Sequence, residues 1–284
     1  MIVGICIFCG QKAGFLRRKH KECQREHLEG QKAIQDAIKD NYINQATSPE
    51  DLENLQGRIQ QIAQESFIDQ SLQRDLLIKG VEAAIHTALE DGLLTEQEEE
   101  NIFKLNTFFH LFQEDLDSNG YYTKLKQGSI LRHVCEGVMP TGINIVGDSL
   151  PFVFMKNEKL IWVENGVQYF EMKTTSRYVG GSQGVSLRIA KGVYYRVGAF
   201  KGHKIQEEQL SYIDTGLLAI TTKHLYFCGK SKSLRIPFAK LISVTPYSDG
   251  ISVHKDGVRA KPQTFINGDS WFLYNLISNI HNLD

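Results

Sequence analysis

No stretch of this sequence reaches the ~18 to 20 consecutive apolar residues that a membrane-spanning helix needs. The apolar opening, Ile2 to Phe8, is too short and too poor in flanking charge to act as a signal peptide, so a cytoplasmic protein is expected. Internal repeats and low-complexity tracts are absent, as are a phosphate-binding P-loop and a dinucleotide fingerprint. Cysteine is sparse and odd in number: of five, three fall within the first 23 positions beside histidine. In a reducing compartment that arrangement favours metal ligation over disulfides, and leaves Cys135 and Cys228 as buried thiols. What is present, 42% apolar and 23% charged side chains in 284 residues, describes a globular chain long enough for two or three domains.

The net charge of -1 conceals an asymmetry. Residues 50–117 carry sixteen acids against four Lys or Arg, whereas 172–206 contains no acid and seven cations: Lys173, Arg177, Arg188, Lys191, Arg196, Lys201 and Lys204. The two blocks differ enough in sign to select different partners.

Three segments follow from the patterning. Residues 1–41 begin with a short strand into Cys6-Ile7-Phe8-Cys9-Gly10, pass a basic stretch at 17–21, and enter a helix near His20 that is broken by Gly30 and ends near Asn41. Residues 48–128 are helical by period, with apolar stripes Leu52, Leu55, Ile59, Ile62, then Leu77, Val81, Ala84, Ile85, Ala88, then Ile102, Leu105, Phe108, Phe109, Phe112. Ser48-Pro49 predicts one helix start, and Thr95-Glu96-Gln97-Glu98 is a capping box for another. Residues 142–284 switch to alternation and turn dipeptides. Asn165-Gly166 predicts a hairpin, further strands fall at 185–190, 193–197, 217–221, 225–228, 234–237, 242–244 and 251–254, and one amphipathic helix containing Trp271, Leu273, Leu276, Ile277 and Ile280 closes the chain behind an Asp269 or Ser270 cap. The expected class is α+β: a treble-clef or ribbon metal module, a small helical bundle, and a partly open barrel capped by a helix.

The densest chemistry lies in the first segment. A Cys-x-x-Cys knuckle presents Cys6 and Cys9 from one tight turn, and His20-x-x-Cys23 brings a second pair onto one face of a first helical turn, where the helix dipole favours thiolate. Four N or S donors match the tetrahedral preference of Zn²⁺, and with every position filled by protein the zinc is structural. His27, one turn beyond Cys23, is the alternative fourth ligand. So short a segment with few apolar residues needs metal to hold its shape.

Other motifs are weaker. Asp115-Leu116-Asp117-Ser118-Asn119-Gly120 opens like a calcium loop but has Lys126 where a bidentate glutamate belongs, so a polar helix terminus is expected. Gly180-Gly181-Ser182-Gln183-Gly184 has the form of a nucleophile elbow without the following helix, which predicts a flexible loop or hairpin tip. Its glycines and the neighbouring Arg177, Arg188, Lys191 and Arg196 form a candidate anion site for a phospholipid headgroup or nucleic acid, with Arg17, Arg18 and Lys19 assisting. Glu98-Glu99-Glu100 reads as a solvated face, and His86 and His110 as core-edge residues.

Two resemblances add to this. Ala88-Leu89-Glu90-Asp91-Gly92-Leu93-Leu94-Thr95-Glu96-Gln97-Glu98-Glu99 resembles TerB-type helical modules of bacteria, which implies a stress-response setting and acidic helices that contact metal, with no individual ligand carried over. The third segment is similar to bacterial PH-like domains, through Tyr178-Val179-Gly180-Gly181-Ser182, Lys191-Gly192-Val193-Tyr194-Tyr195-Arg196, the run from Gly216 to Phe227, Ile236-Pro237, Pro246-Tyr247-Ser248-Asp249-Gly250 and Trp271-Phe272. That resemblance implies a PH-like β-barrel that binds proteins, peptides or anionic headgroups and rarely catalyses. The chain is therefore expected to be a non-catalytic, zinc-containing adaptor for a protein partner, in bacterial stress or phage defence, with anionic lipid or nucleic acid as the other ligand class.

Overall fold

The computed structural model describes residues 3–15, 17–90, 92–140, 150–190, 193–257, 260–266 and 269–283, with backbone alone at 3, 15, 175–190 and 193–207. The chain divides into two compact units, Met1–Pro140 and Thr141–Asp284.

The first unit opens with antiparallel strands β1 (Val3–Ile5) and β2 (Lys12–Phe15), then six helices: α1 (Lys21–Ile43), α2 (Pro49–Glu65), α3 (Gln70–Ala88), α4 (Glu96–Phe108), α5 (Gln113–Asp117) and α6 (Tyr121–Cys135). The helix starts follow the capping chemistry. Ser48 and Asp51 form a reciprocal capping box with Pro49 at the first helical position, Thr95 and Glu98 form another, and Asp69 accepts from Leu72 N–H at 2.8 Å. Ile34 and Ile38 of α1, Leu52, Leu55 and Ile59 of α2, Leu76, Val81 and Ile85 of α3, and Ile102 and Leu105 of α4 share one core. Each such side chain contributes roughly 1.5 to 3 kcal/mol by leaving water.

Several expectations need correction here. Gly30 does not break α1, which continues to Ile43; it is a glycine because a Cβ there would lie 2.1 Å from the Ser66 hydroxyl oxygen. Phe112 does not join the inward stripe and is 67% exposed. The reason is local: α4 stops at Phe108 and His110 takes a left-handed φ of 51°, so the helical period that aligned Phe112 is interrupted. Helix α6 extends past 128 to Cys135 and buries Leu125, Ile130, Leu131 and Val134; Cys135 itself is exposed, and Cys228 is partly so.

The second unit contains β3 (Leu160–Ala190), β4 (Val193–Thr221), β5 (His224–Gly229), β6 (Ser233–Pro237), the 3₁₀ turn Phe238–Lys240, β7 (Leu241–Pro246), β8 (Gly250–Lys255), β9 (Gln263–Ile266) and α7 (Ser270–Asn279). The strands form one antiparallel sheet of seven in the order β6-β5-β4-β3-β9-β8-β7. The expected barrel is not closed: no pairing joins β6 to β7 among the described residues. Pro237, which has no N–H to donate, ends β6, and the 3₁₀ turn redirects the chain before β7 begins.

Asn165-Gly166 is not a hairpin turn. Both residues lie inside β3, where the register slips between Glu164 and Val167 against Leu218 and Gly216 of β4, and Gly166 supplies a φ of 71°. The dipeptide makes a bulge that lets one strand run on. Residues 180–184 are likewise no loop, since their backbone pairs with 198–202 within the β3–β4 ladder. β9 went unread in the sequence because it is four residues long and half polar, yet it joins β3 to β8 and buries Phe265. Tyr169, Phe227 and Phe265 form an aromatic centre with ring centroids 5.2 to 5.9 Å apart. α7, capped by Asp269 accepting from Phe272 N–H at 3.1 Å, buries Phe272, Leu273, Leu276 and Ile277 and leaves Trp271 half exposed.

Candidate metal centre

The knuckle is built by backbone hydrogen bonds around Cys6. Cys6 N–H donates to Gln11 O at 2.7 Å, Gly10 N–H to Cys6 O at 3.0 Å, and Ile7 N–H to Arg18 O at 3.0 Å. Gly10, at φ 72°, makes the turn that aims Cys6 and Cys9 the same way. His20 is the residue before α1, extended at φ -78° and ψ 146°, and its side chain makes no capping bond, so the ring remains available to the centre. Cys23 follows in the first helical turn.

The donor atoms of Cys6, Cys9, His20 and Cys23 all lie within 4.8 Å of one another. His20 Nδ1 is 3.3 Å from Cys9 Sγ and 3.6 Å from Cys23 Sγ, and His20 N–H reaches Cys6 Sγ at 3.4 Å. Such separations suit ligands on a tetrahedron with metal bonds of about 2.0 to 2.3 Å. His20 Nε2 donates to Lys12 O at 3.0 Å, which leaves Nδ1 as the nitrogen that faces the sulfurs. Burial works against ionisation of the Cys6 thiol, but the N–H groups of Cys9, His20 and Phe8 outweigh it and lower its pKa to about 6. Cys23 goes the other way, pushed up to about 11 by burial and by the sulfurs of Cys9 and Cys6. Three crowded sulfurs repel as thiolates, and a divalent cation among them removes that conflict. The four residues are thus placed to hold a metal ion, with Cys6 buried and the others partly so.

His27 has other work. Its Nδ1 lies 2.9 Å from Ser66 O, and its ring packs on Phe8 at 4.6 Å, with Phe67 a further neighbour of Phe8 at 6.1 Å. The knuckle is docked onto α1 and the α2–α3 connection by that contact.

Among the described residues no second group of His, Cys, Asp or Glu converges in this way. Three acids of α4 are engaged singly: Glu98 caps Thr95, Glu99 pairs with Arg132 at 2.6 Å, and Glu100 with Lys104 at 2.9 Å. His86 is surface-exposed and pairs with Glu90 at 3.5 Å instead of lying at the core edge. In the calcium-like stretch Asp115 accepts from Phe112 N–H and Arg74, and Asp117 from Thr123, which matches a polar helix terminus. Of the expected anion site, Lys191 and the side chains of Arg177, Arg188 and Arg196 lie outside the described residues.

A polar centre with no sequence signature appears in the second unit. Glu158, whose side chain is fully buried, accepts from Met155 N–H, Tyr226 OH and His224 Nδ1, each at 2.8 Å, and from the Thr221 hydroxyl. Burial opposes its ionisation, but these bonds together hold its pKa below the usual carboxylate range. Its side-chain partners Thr221, His224 and Tyr226 are more than 60 residues away in sequence, which no local pattern could have joined. Compared with family models, curated proteins and solved structures, the chain finds no match in any of the three.

Proposed function

We propose that Cys6, Cys9, His20 and Cys23 hold a structural Zn²⁺ ion, and that the protein is a non-catalytic adaptor binding a protein partner through its TerB-like helical unit and PH-like sheet unit. The observation that carries this reading is the convergence of four protein donors, three sulfurs and one nitrogen, on one point. Catalytic zinc keeps a position for water or substrate, and four protein ligands leave none. Bound there, the ion supplies folding free energy to a short segment with little core of its own. A seven-stranded antiparallel sheet with one terminal helix supports the PH-like reading, and such sheets serve recognition more often than reaction.

The test is capture of partners by the intact chain and by a Cys6→Ser, Cys9→Ser variant. A protein partner retained after nuclease and detergent treatment is expected. Turnover of a nucleotide, ester or peptide that is lost on replacing Ser182 or a carboxylate would overturn the reading.

A second reading is favoured by one observation. The acid-free stretch pairs with itself along β3 and β4, Arg177 opposite Ile205 and Arg188 opposite Tyr194, so that the backbones of Arg177, Arg188, Arg196, Lys201 and Lys204 share one two-stranded ribbon. Binding of anionic lipid or nucleic acid there would weaken steeply with salt, and salt-insensitive binding would exclude it.

A further inference from the structure

Residues 1–21 contain five cations, Lys12, Arg17, Arg18, Lys19 and Lys21, and no acid. All five side chains are exposed, and among the described residues none of them makes an ion pair. Two large apolar side chains stand out with them: Ile5 is 63% exposed and Ile7 62%, on either side of Cys6, which is 1% exposed. Side chains alternate along an extended segment, so turning Cys6 inward to the metal centre turns both isoleucines out. The cations border them. Ile5 is paired in register with Lys12 across β1 and β2, and Ile7 N–H donates to Arg18 O at 3.0 Å. Residues opposite each other on antiparallel strands share a face, which sets Lys12 beside Ile5. A divalent ion held by three thiolates carries one net negative charge, too little to offset five cations.

From these features we infer that the metal knuckle is a peripheral membrane anchor, which seats its cations on the phosphates of an anionic bilayer and sinks Ile5 and Ile7 between the headgroups. Charge brings such a module to the surface and apolar side chains hold it there; neither alone gives stable attachment. A lipid leaflet is fluid and takes protruding side chains without a matching pocket, whereas a folded protein partner needs a complementary surface. Nucleic acid fits less well: aliphatic side chains do not stack on bases, and Phe8 is already packed against His27 and Lys19. The anchor is distinct in sequence from the β3–β4 ribbon, and it adds a location to the adaptor reading without depending on it.

The experiment sediments the full-length, zinc-loaded chain with vesicles of phosphatidylcholine alone, or with about one third phosphatidylglycerol, at low and high salt. Expected are binding to the anionic vesicles only, weakening as salt rises, and at least ten-fold weaker binding by each of two double variants that keep their zinc: Ile5→Ser with Ile7→Ser, and Arg17→Glu with Arg18→Glu. Equal binding to both vesicle types, no binding to either, or parent-like binding by either variant would overturn the anchor. The parent chain supplies a second measurement that needs no substitution. In anionic bicelles a spin-labelled lipid should broaden the amide signals of residues 5–7 and 17–19 first; broadening centred on 177–204 would overturn the knuckle assignment and favour the ribbon. Tighter binding to a single-stranded oligonucleotide than to the vesicles, unchanged by the isoleucine variant, would assign the surface to nucleic acid instead. None of these outcomes bears on capture of a protein partner, so the adaptor reading stands or falls separately.

Discussion

His20 Nε2 lies 3.0 Å from the carbonyl oxygen of Lys12, and that contact turns the other ring nitrogen toward the sulfurs of Cys9 and Cys23. A ring held on one side by a backbone carbonyl presents one tautomer and one lone pair, which is how a histidine ligand is set before the metal arrives. β2, which carries Lys12, is therefore part of the centre although it contributes no ligand.

Elemental analysis of the parent chain should find one zinc per molecule. His20→Ala should bind it at least ten-fold more weakly, since a ligand is lost. His27→Ala should keep the full stoichiometry while loosening the docking of Phe8. Loss of zinc in His27→Ala with retention in His20→Ala would reverse the ligand assignment.

Chelation should unfold the knuckle and spare the helices. The amides of Cys6, Ile7 and Gly10, protected by bonds across the turn, are expected to exchange rapidly in the metal-free chain. Amides around Ile85 and Leu105, at the centre of the helical core, should keep their protection. Global loss of helical signal on chelation would contradict this.

Gly80 of α3 and Ile38 of α1 meet where a Cβ at position 80 would fall 2.5 Å from Ile38 Cδ1 and 2.8 Å from its Cβ. Alanine favours a helix interior over glycine by about 1 kcal/mol, but forcing α1 away from α3 costs about 1 to 3 kcal/mol. Gly80→Ala should therefore destabilise the helical unit by up to about 2 kcal/mol in chemical denaturation. A more stable variant would show that the helices can separate freely.

Glu158 should make the sheet unit acid-sensitive. Its pKa is depressed on folding, so its contribution is present above the unfolded carboxylate value of about 4.3 and is lost as pH falls through the lower folded value. Glu158→Gln should cost about 3 kcal/mol near pH 7, because the amide keeps one acceptor oxygen and turns an NH2 group toward two of the four donors that the carboxylate accepts. The gap between parent and variant should shrink as pH drops below about 4. Parallel denaturation curves at both pH values would show that the carboxylate is not ionised in the fold.

The site was legible where chemistry is local. Cys-x-x-Cys-Gly and His-x-x-Cys each lie within a few residues, so spacing alone proposed a metal site, and the capping boxes at Ser48 and Thr95 were readable for the same reason. The choice between His20 and His27 was not local: it depended on Lys12 O lying behind one ring and Ser66 O beside the other. Asn165-Gly166 misled because the same positive φ serves a hairpin turn and a strand bulge, and the partner strand, 50 residues on, decides which.

Nothing in the local pattern announced Glu158, whose four donors come from two separate stretches of chain, or the open edge of β7, beside which no strand pairs among the described residues. The amino-acid order by itself determined the helix starts, the alternating strands and the cluster of soft ligands, since each depends on residues that are neighbours along the chain. Tertiary structure alone decided which ring nitrogen faces the sulfurs, where the glycines of α1 and α3 admit close contact, and which strand edge stays free, because those are set by groups that meet only when distant segments pack.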